Sequence, residues 1–427
     1  MNTRELKELI IEMSEQTQKI LSPLYYEPKS QRARILAAIN SFEQLFGDGR
    51  EVMLLSVPGR SEILGNHTDH NKGKVLAGAI DKDIIAIVSK NGTDTVNLKS
   101  EGYEKDTVDL SLTDNRTAYP KYSSASLILG TAAGFKLSGF AFGGFDCYAT
   151  SDVLRGSGIS SSAAFEVMIG NIFNHLYNDG KIPNTELAKI AQYSENEYFG
   201  KPCGLMDQMA CAVGGFVYMD FENPKSPEIV PISFSLADAG YYLCIVNTGG
   251  NHADLNEDYA SVPTEMKRVA AILGKEVLRG VSEADIIAKM SDIRAVAGDR
   301  ALMRAVHFIR ENKRVELARA ALTTNDVKAF FNNVIASGKS SFEFLQNVYT
   351  TKNVKEQGLS LALLLTEGFL FEKDGAYRVH GGGFAGTIQA YIKKELASEY
   401  TALMESVFGS GAVMRLNIRP LGACRIL

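Results

Sequence analysis

Apolar positions along the chain change their spacing several times, and each change marks an element. Through residues 4–40 apolar and charged positions alternate with a helical period, which predicts one or two structural helices ahead of the first strand-like run, EVMLLSVPGR. β-branched and aromatic runs at 75–89 and 145–153 predict strands, whereas 161–177 and 185–199 predict helices. Beyond Gly214, GGFVYMDF and YYLCIVNT read as strands, and about 256–273, 296–321 and 325–346 carry helical periodicity. The last third closes with HGGGFAGT, a helix and AVMRLNIRP. The pattern is that of an α/β (α+β) protein. A composition shift near 215–225, where Pro224 and Pro227 punctuate the chain, divides it into a helical extension at 1–40, a lobe at 41–220 and a lobe at 221–427.

Composition narrows the classes of function. A chain of 427 residues has room for two cores and a cleft between them. Hydrophobic residues at 45% and charged residues at 22% are ordinary for a globular protein, and no run is long and apolar enough to predict a membrane partner. The net charge of −5 comes without a basic stripe, so nucleic acid is not an expected partner. Five cysteines without paired zinc spacing, and charges scattered through MNTRELKELIIEM, predict reduced thiols and a cytoplasmic protein.

Three segments carry candidate chemistry. LRGSGISSSAAFEVMIG places Gly156, Ser157 and Gly158 between a strand and a helix whose first turn is Ser160, Ser161 and Ser162. Glycines let backbone N–H groups converge on one point and a helix start adds partial positive charge, so the loop fits a phosphate. It also fits a serine-rich helix cap. NVIASGKS lacks the first glycine of a P-loop, having Asn333 there, and Ser161 stands where a dinucleotide fingerprint needs its third glycine.

The second segment, GRSEILGNHTDHN, follows a strand expected to end at Pro58 and gathers Arg60, Glu62, Asn66, His67, Asp69, His70 and Asn71 on a turn. Such a cluster suits a polyol, whose hydroxyls alternate donors and acceptors; a solvated turn is the plain alternative. HTDH also resembles part of the HxHxDH pattern of dinuclear metallohydrolases, with Gly65 in place of the first histidine. In the third segment, YSENEYFGKPCGLMDQMACAVGGF, Asp207 lies among small and apolar residues beside Glu195 and Glu197. Burial raises a carboxyl pKa and a nearby Arg lowers it again, which would keep Asp207 ionised and able to accept a hydroxyl proton; a helix cap is the alternative. HGGGFAGT adds three consecutive glycines ahead of an apolar helix, fit for a tight turn or for a close approach of backbone to a neighbour.

In this order the segments resemble the GHMP kinases, galactokinases most closely, from about Phe42 to the C-terminus. The resemblance rests on PGRSEILGNHTDHNKGKVL, GSGISSSAA, GKPCGLMDQ, NEDY, RENKRV and HGGGFAGT. It implies two lobes with the active site between them, ATP and Mg²⁺ as cofactors, and a monosaccharide, foremost galactose, phosphorylated at its C1 hydroxyl. It implies Asp207 as base or charge partner, Arg60 as the group holding it ionised, and Ser161 with Glu195 on Mg²⁺. The backbone from Gly156 to Ser162 would cradle the phosphates, and His67, Asp69, Gly204 and Tyr259 would contact the sugar. The family signature reads N-x-I-G-E-H-T-D-Y; here its Asn is Glu62, its Glu is Asn66 and its Tyr is His70. By that resemblance the lost glutamate belongs to the far end of the hexose, so the exchange opens a further reading, a kinase for a uronic acid or an N-acetylhexosamine with Glu62 and Asn66 at the substrate. The resemblance to galactokinases also leaves a reading of another class, a sugar and ATP sensor without turnover.

Overall fold

The computed structural model describes residues 1–153, 158–250 and 255–427. Its strands are β1 (Met53–Leu64), β2 (Lys74–Lys90), β3 (Thr95–Ser100), β4 (Lys105–Asp109), β5 (Phe145–Ser151), β6 (Phe216–Asp220), β7 (Glu228–Ile232), β8 (Tyr241–Asn247), β9 (Gly375–His380), β10 (Thr387–Lys393), β11 (Val413–Leu416) and β12 (Cys424–Arg425). The first sheet runs β12-β1-β2-β5-β3-β4, with β6 on the first half of β2 and β7 beyond it. A second sheet runs β11-β8-β10-β9. The fold is the mixed α/β arrangement expected, but its division differs from the expected boundary at 220/221. β6 and β7 carry the first sheet on to Ile232, and β12 returns the end of the chain to β1, because pairing with β2 and β1 satisfies their backbone groups.

β1 and β2 pair from Met53 opposite Val88 to Leu64 opposite Leu76, with register shifts between Pro58 and Arg60 and between Glu62 and Leu64. The strand therefore does not end at Pro58. The missing N–H of Pro58 is accommodated beside an irregularity, and Arg60 and Glu62 are strand residues, not turn residues.

Period-2 alternation splits this sheet between two cores. Leu54, Ile85 and Ile87 face the N-terminal helices Thr3–Glu12 and Arg32–Phe46 through Leu6, Ile10, Ile35, Ile39 and Phe42. Leu55, Val57, Ala86 and Val88 face the helices Ser124–Leu137 and Ser161–Tyr177. The N-terminal segment is thus a structural cover of three helices, the third ending at Phe46. It is pinned by wholly buried Asp83, which accepts from Arg34 (2.8 Å), Tyr25 (2.6 Å) and Arg419 (3.1 Å). Burial pushes the Asp83 carboxyl up, and the two guanidinium groups bring it below its usual range.

Two predicted helices end in wider π-type turns: Asn184–Ser194 continues as Glu195–Phe199, and Val327–Ser340 as Ser341–Leu345. HGGGFAGT leads into the strand β10, not a helix, since Ile388, Ala390 and Ile392 bury alternate positions of TIQAYIK between β8 and β9. Among the described residues no helix is long and apolar enough to cross a membrane.

Candidate active site

Arg60 projects from β1 into a bidentate pair with Asp207, Nε to Oδ1 and Nη2 to Oδ2, both at 2.8 Å. Its remaining nitrogen donates to the Gly158 carbonyl at 2.6 Å, and the Ser160 hydroxyl donates to Asp207 Oδ2 at 2.5 Å. Asp207 sits in the first turn of the helix Met206–Val213, yet no side-chain cap bond is made there, so its carboxylate is committed to Arg60 and Ser160. Burial pushes this carboxyl up, and Arg60 and Ser160 outweigh burial, holding it below the usual carboxylate range. Arg60 is 10% exposed while Asp207 keeps 34% of its side chain open, so the acid stays reachable from the cleft.

Of the predicted phosphate loop, Gly156 and Ser157 lie outside the described residues. Gly158 (φ +75°) and Ser160 (φ +57°) are both left-handed, and the helix begins at Ser161, so Ser160 precedes the first turn instead of belonging to it. This conformation lets the Ser160 hydroxyl reach Asp207. Ser161 and Ser162 open the helix Ser161–Tyr177, at the end that favours anions.

Glu195, wholly buried at the start of its π-type turn, accepts from Gln208 Nε2 at 2.7 Å, with Lys201 Nζ at 3.6 Å. Gln208 also donates to Glu166 at 3.1 Å, so the chain neighbour of Asp207 links Glu195 to Glu166. Burial, and then the charge of Glu195, push the Glu166 carboxyl well up.

Of the residues expected at the sugar, His67 and Tyr259 reach the glycine loop 381–383, whereas Asp69 lies by Gly204. His67 (φ +58°) bonds the Gly382 carbonyl through Nε2 at 2.9 Å and faces His70 Nε2 at 3.3 Å through Nδ1; burial, then His70, push it down to about 4. The Tyr259 hydroxyl donates to the Gly383 carbonyl at 2.9 Å. Asp69 lies against Gly204, where an added Cβ would stand 3.2 Å from its Oδ2. The close approach expected of the three glycines is to protein: a Cβ on Gly383 (φ +81°) would meet the Asn347 carbonyl at 2.0 Å, and one on Gly382 the Tyr259 ring at 2.8 Å.

Glu62 and Asn66 behave differently. Asn66 has no exposed surface; its Nδ2 donates to Glu62 Oε1 (3.0 Å) and the Gly381 carbonyl (2.8 Å), and its Oδ1 accepts from Asn347 (2.8 Å). Arg378, also wholly buried, stands 3.5 Å from Glu62 and donates to the Ile63 carbonyl at 2.9 Å. Both residues are therefore held inside the junction between the lobes, close behind His67.

Sequence reasoning passed over Glu166, Gln208, Asn347, Arg378 and His380. Glu166 carried a signal, as an acid amid AAFEVMIG, and Gln208 stood next to Asp207. Asn347 and His380 carried none, because their partners are distant: His380 meets Ser61 (3.1 Å) and Thr387 (2.9 Å) beneath Gly158. Among the described residues no three His, Cys, Asp or Glu side chains, those of HTDH included, gather as a metal cluster.

The model of the galactokinase galactose-binding signature matches residues 40–90, and that of the GHMP kinases N terminal domain matches residues 123–215. A galactokinase of Streptomyces coelicolor is 30% identical over 382 residues, 87% of this chain and 92% of that protein. A galactokinase of Clostridium tetani is 28% identical over 355 residues, 83% and 87% of the two chains. The crystal structure of Lactococcus lactis galactokinase complexed with galactose superposes with a TM-score of 0.75 at 23% identity, covering 92% of this chain and all of that one. Mevalonate kinase shares the fold at 14% identity, with a TM-score of 0.60 over 87% of this chain and 99% of that one. A bidentate Arg–Asp pair between a strand and the helix Met206–Val213, beside a serine-rich helix start, on a fold common to these kinases and with family identity extending over nearly the whole length, leaves one assignment: this chain belongs to the galactokinase family of the GHMP kinases and is an ATP-using sugar phosphotransferase.

Proposed function

We propose that this enzyme moves the γ-phosphate of ATP to the C1 hydroxyl of galactose, with Asp207 facing that hydroxyl. The observation that carries this reading is the bidentate Arg60–Asp207 pair with Asp207 still one-third open. Asp207, held ionised, accepts the hydroxyl proton or stabilises its departure, and Arg60 offsets charge on the moving phosphoryl group. Backbone N–H groups from Gly158 to Ser162 and the helix start hold phosphate oxygens. His67, Asp69, Gly204 and Tyr259 form the sugar side, and Glu62 with Asn66 shapes its back wall.

Ser161 and Glu195 would hold Mg²⁺. The surroundings fit a hard cation, since Glu166 Oε1 and Gln208 Oε1, beside Glu195, are buried oxygens without a protein partner. Bound there, Mg²⁺ supplies neutralisation of the β- and γ-phosphate charge.

The Glu62–Asn66 exchange favours a second reading, a related monosaccharide with a different group at its far end, because the carboxylate at 62 is taken up by Asn66 and Arg378. ADP release with ATP and Mg²⁺ across galactose, galacturonate, N-acetylgalactosamine, glucose and mannose separates the two. Fast turnover of galactose alone supports the first reading. Preference for another sugar moves the assignment to the second, and silence with every sugar counts against both.

A further inference from the structure

Glu166 has so far entered only as a buried oxygen beside Glu195, yet its surroundings are unlike those of the other buried acids. It lies wholly buried, one helical turn beyond Ser162, and its one hydrogen-bond donor is Gln208 Nε2. The same nitrogen serves Glu195, so a single uncharged amide separates two carboxylates. Asp83 and Asp207, by contrast, each face guanidinium groups. The nearest cation here is Lys201, 3.6 Å from Glu195 and 61% exposed. Among the described residues two oxygens of this cluster, Glu166 Oε1 and Gln208 Oε1, are buried with no protein partner. A water molecule could bond these oxygens; a divalent cation with oxygen ligands would satisfy them and offset carboxylate charge as well.

We propose that Glu166 is the second carboxylate of the divalent-cation site, acting with Glu195 across the Gln208 carboxamide. This rests on the reading of Glu195 as a cation ligand. The helix that opens with Ser161 and Ser162 then contributes to the cation from its first two turns, through hydroxyl and carboxylate. Gln208 ties the site to Asp207, its neighbour in the chain, so cation and acid are positioned by one short helix, Met206–Val213.

The test is direct Mn²⁺ binding to the full chain without nucleotide, read from the electron paramagnetic resonance of free Mn²⁺, for the parent, Glu166→Gln and Glu195→Gln. We expect one bound Mn²⁺ in the parent and a Kd raised about tenfold or more in either variant, the scale on which lost support weakens metal sites. The thermal midpoint of metal-free Glu166→Gln should stay close to that of the parent, since glutamine keeps the volume of the buried side chain. Parent-like Mn²⁺ affinity in Glu166→Gln with loss in Glu195→Gln overturns the role of Glu166 and leaves Glu195 standing. Parent-like affinity in both variants overturns both readings, and no Mn²⁺ bound by the parent overturns a carboxylate site formed by the protein alone. Should Glu166→Gln fail to fold, Glu166→Asp decides: it keeps the charge and withdraws it by one methylene, so a raised Kd supports the proposal and an unchanged one overturns it.

Discussion

At the Arg60–Asp207 end of the cleft, two side chains satisfy each other and one of them still faces outward; at the Glu62–Asn66 end, every named side chain is closed into the junction of the lobes. Beside the signature that the sequence resembles, the first arrangement keeps the expected residue types, and the second has Glu62 and Asn66 where that signature reads Asn and Glu. Reaction chemistry depends on a charge held within tenths of an ångström of the reacting atoms, so the first end has little freedom. A buried wall needs only that charges and hydrogen bonds balance, and a Glu–Asn pair balances in either order if a cation such as Arg378 stands beside it. The difference teaches that an open charged pair and a closed hydrogen-bonded pair answer to different physical demands within one fold.

The comparison can be broken most sharply at Asp207. Replacing it with Asn keeps the volume and removes the charge, and turnover should fall about 10³-fold, as for loss of a positioned acid–base group. Steady-state kinetics with unchanged thermal unfolding would place the loss in chemistry; near-parent turnover would remove Asp207 from the reaction.

At the other end the expected effect falls on stability. Asn66→Glu sets a second carboxylate against Glu62 in a buried site and should cost about 3 kcal/mol in urea unfolding, the scale of an uncompensated buried charge. Glu62→Asn combined with Asn66→Glu restores one carboxylate and one amide and should recover most of that loss. Additive losses in the double variant would show that order matters and that the wall is not a balanced pair.

Arg60→Lys keeps the charge at the reaction end but loses the fork that bonds both Asp207 oxygens and Gly158. A fall in kcat of about 10²-fold is expected, comparable to removing one preorganised donor. Parent-like kcat would mean that charge alone suffices.

The smallest effect is on pH dependence. Burial, then the charge of Arg60, push His380 down to about 3. For His307 burial is the dominant influence, and it takes the group down to about 4. Both are therefore neutral in the folded protein and take up protons on unfolding from about pH 6.5 downward. The stability they contribute is complete above pH 6.5 and is lost as pH falls toward 4 and 3, by about 1.4 kcal/mol per pH unit for each imidazole. Urea unfolding between pH 7.5 and 5.5 should show this slope, and His307→Gln should reduce it by one proton's share; an unchanged slope would remove His307 from the pH response.

Much of this was legible in the sequence. The helices at 161–177 and 256–273 and the strands at 75–89 and 145–153 lie within a residue or two of their places, since their apolar period is set by the face they bury. Arg60, Asp207 and the serine loop could be found because their motifs are short and contiguous. The strand through Pro58 and the strand after the glycines were misread, because a bulge and a β10 sandwiched between two partners override local signals.

By itself the sequence determined the residue types of the Arg60 and Asp207 motifs and the periodicity of the elements. Only the tertiary structure decided that Asn66 is enclosed, that Glu62 answers to Arg378, and that Glu166 and Glu195 share one amide. These pairs join positions tens to hundreds of residues apart. Burial and charge balance act between neighbours in space, and a linear pattern records only neighbours along the chain.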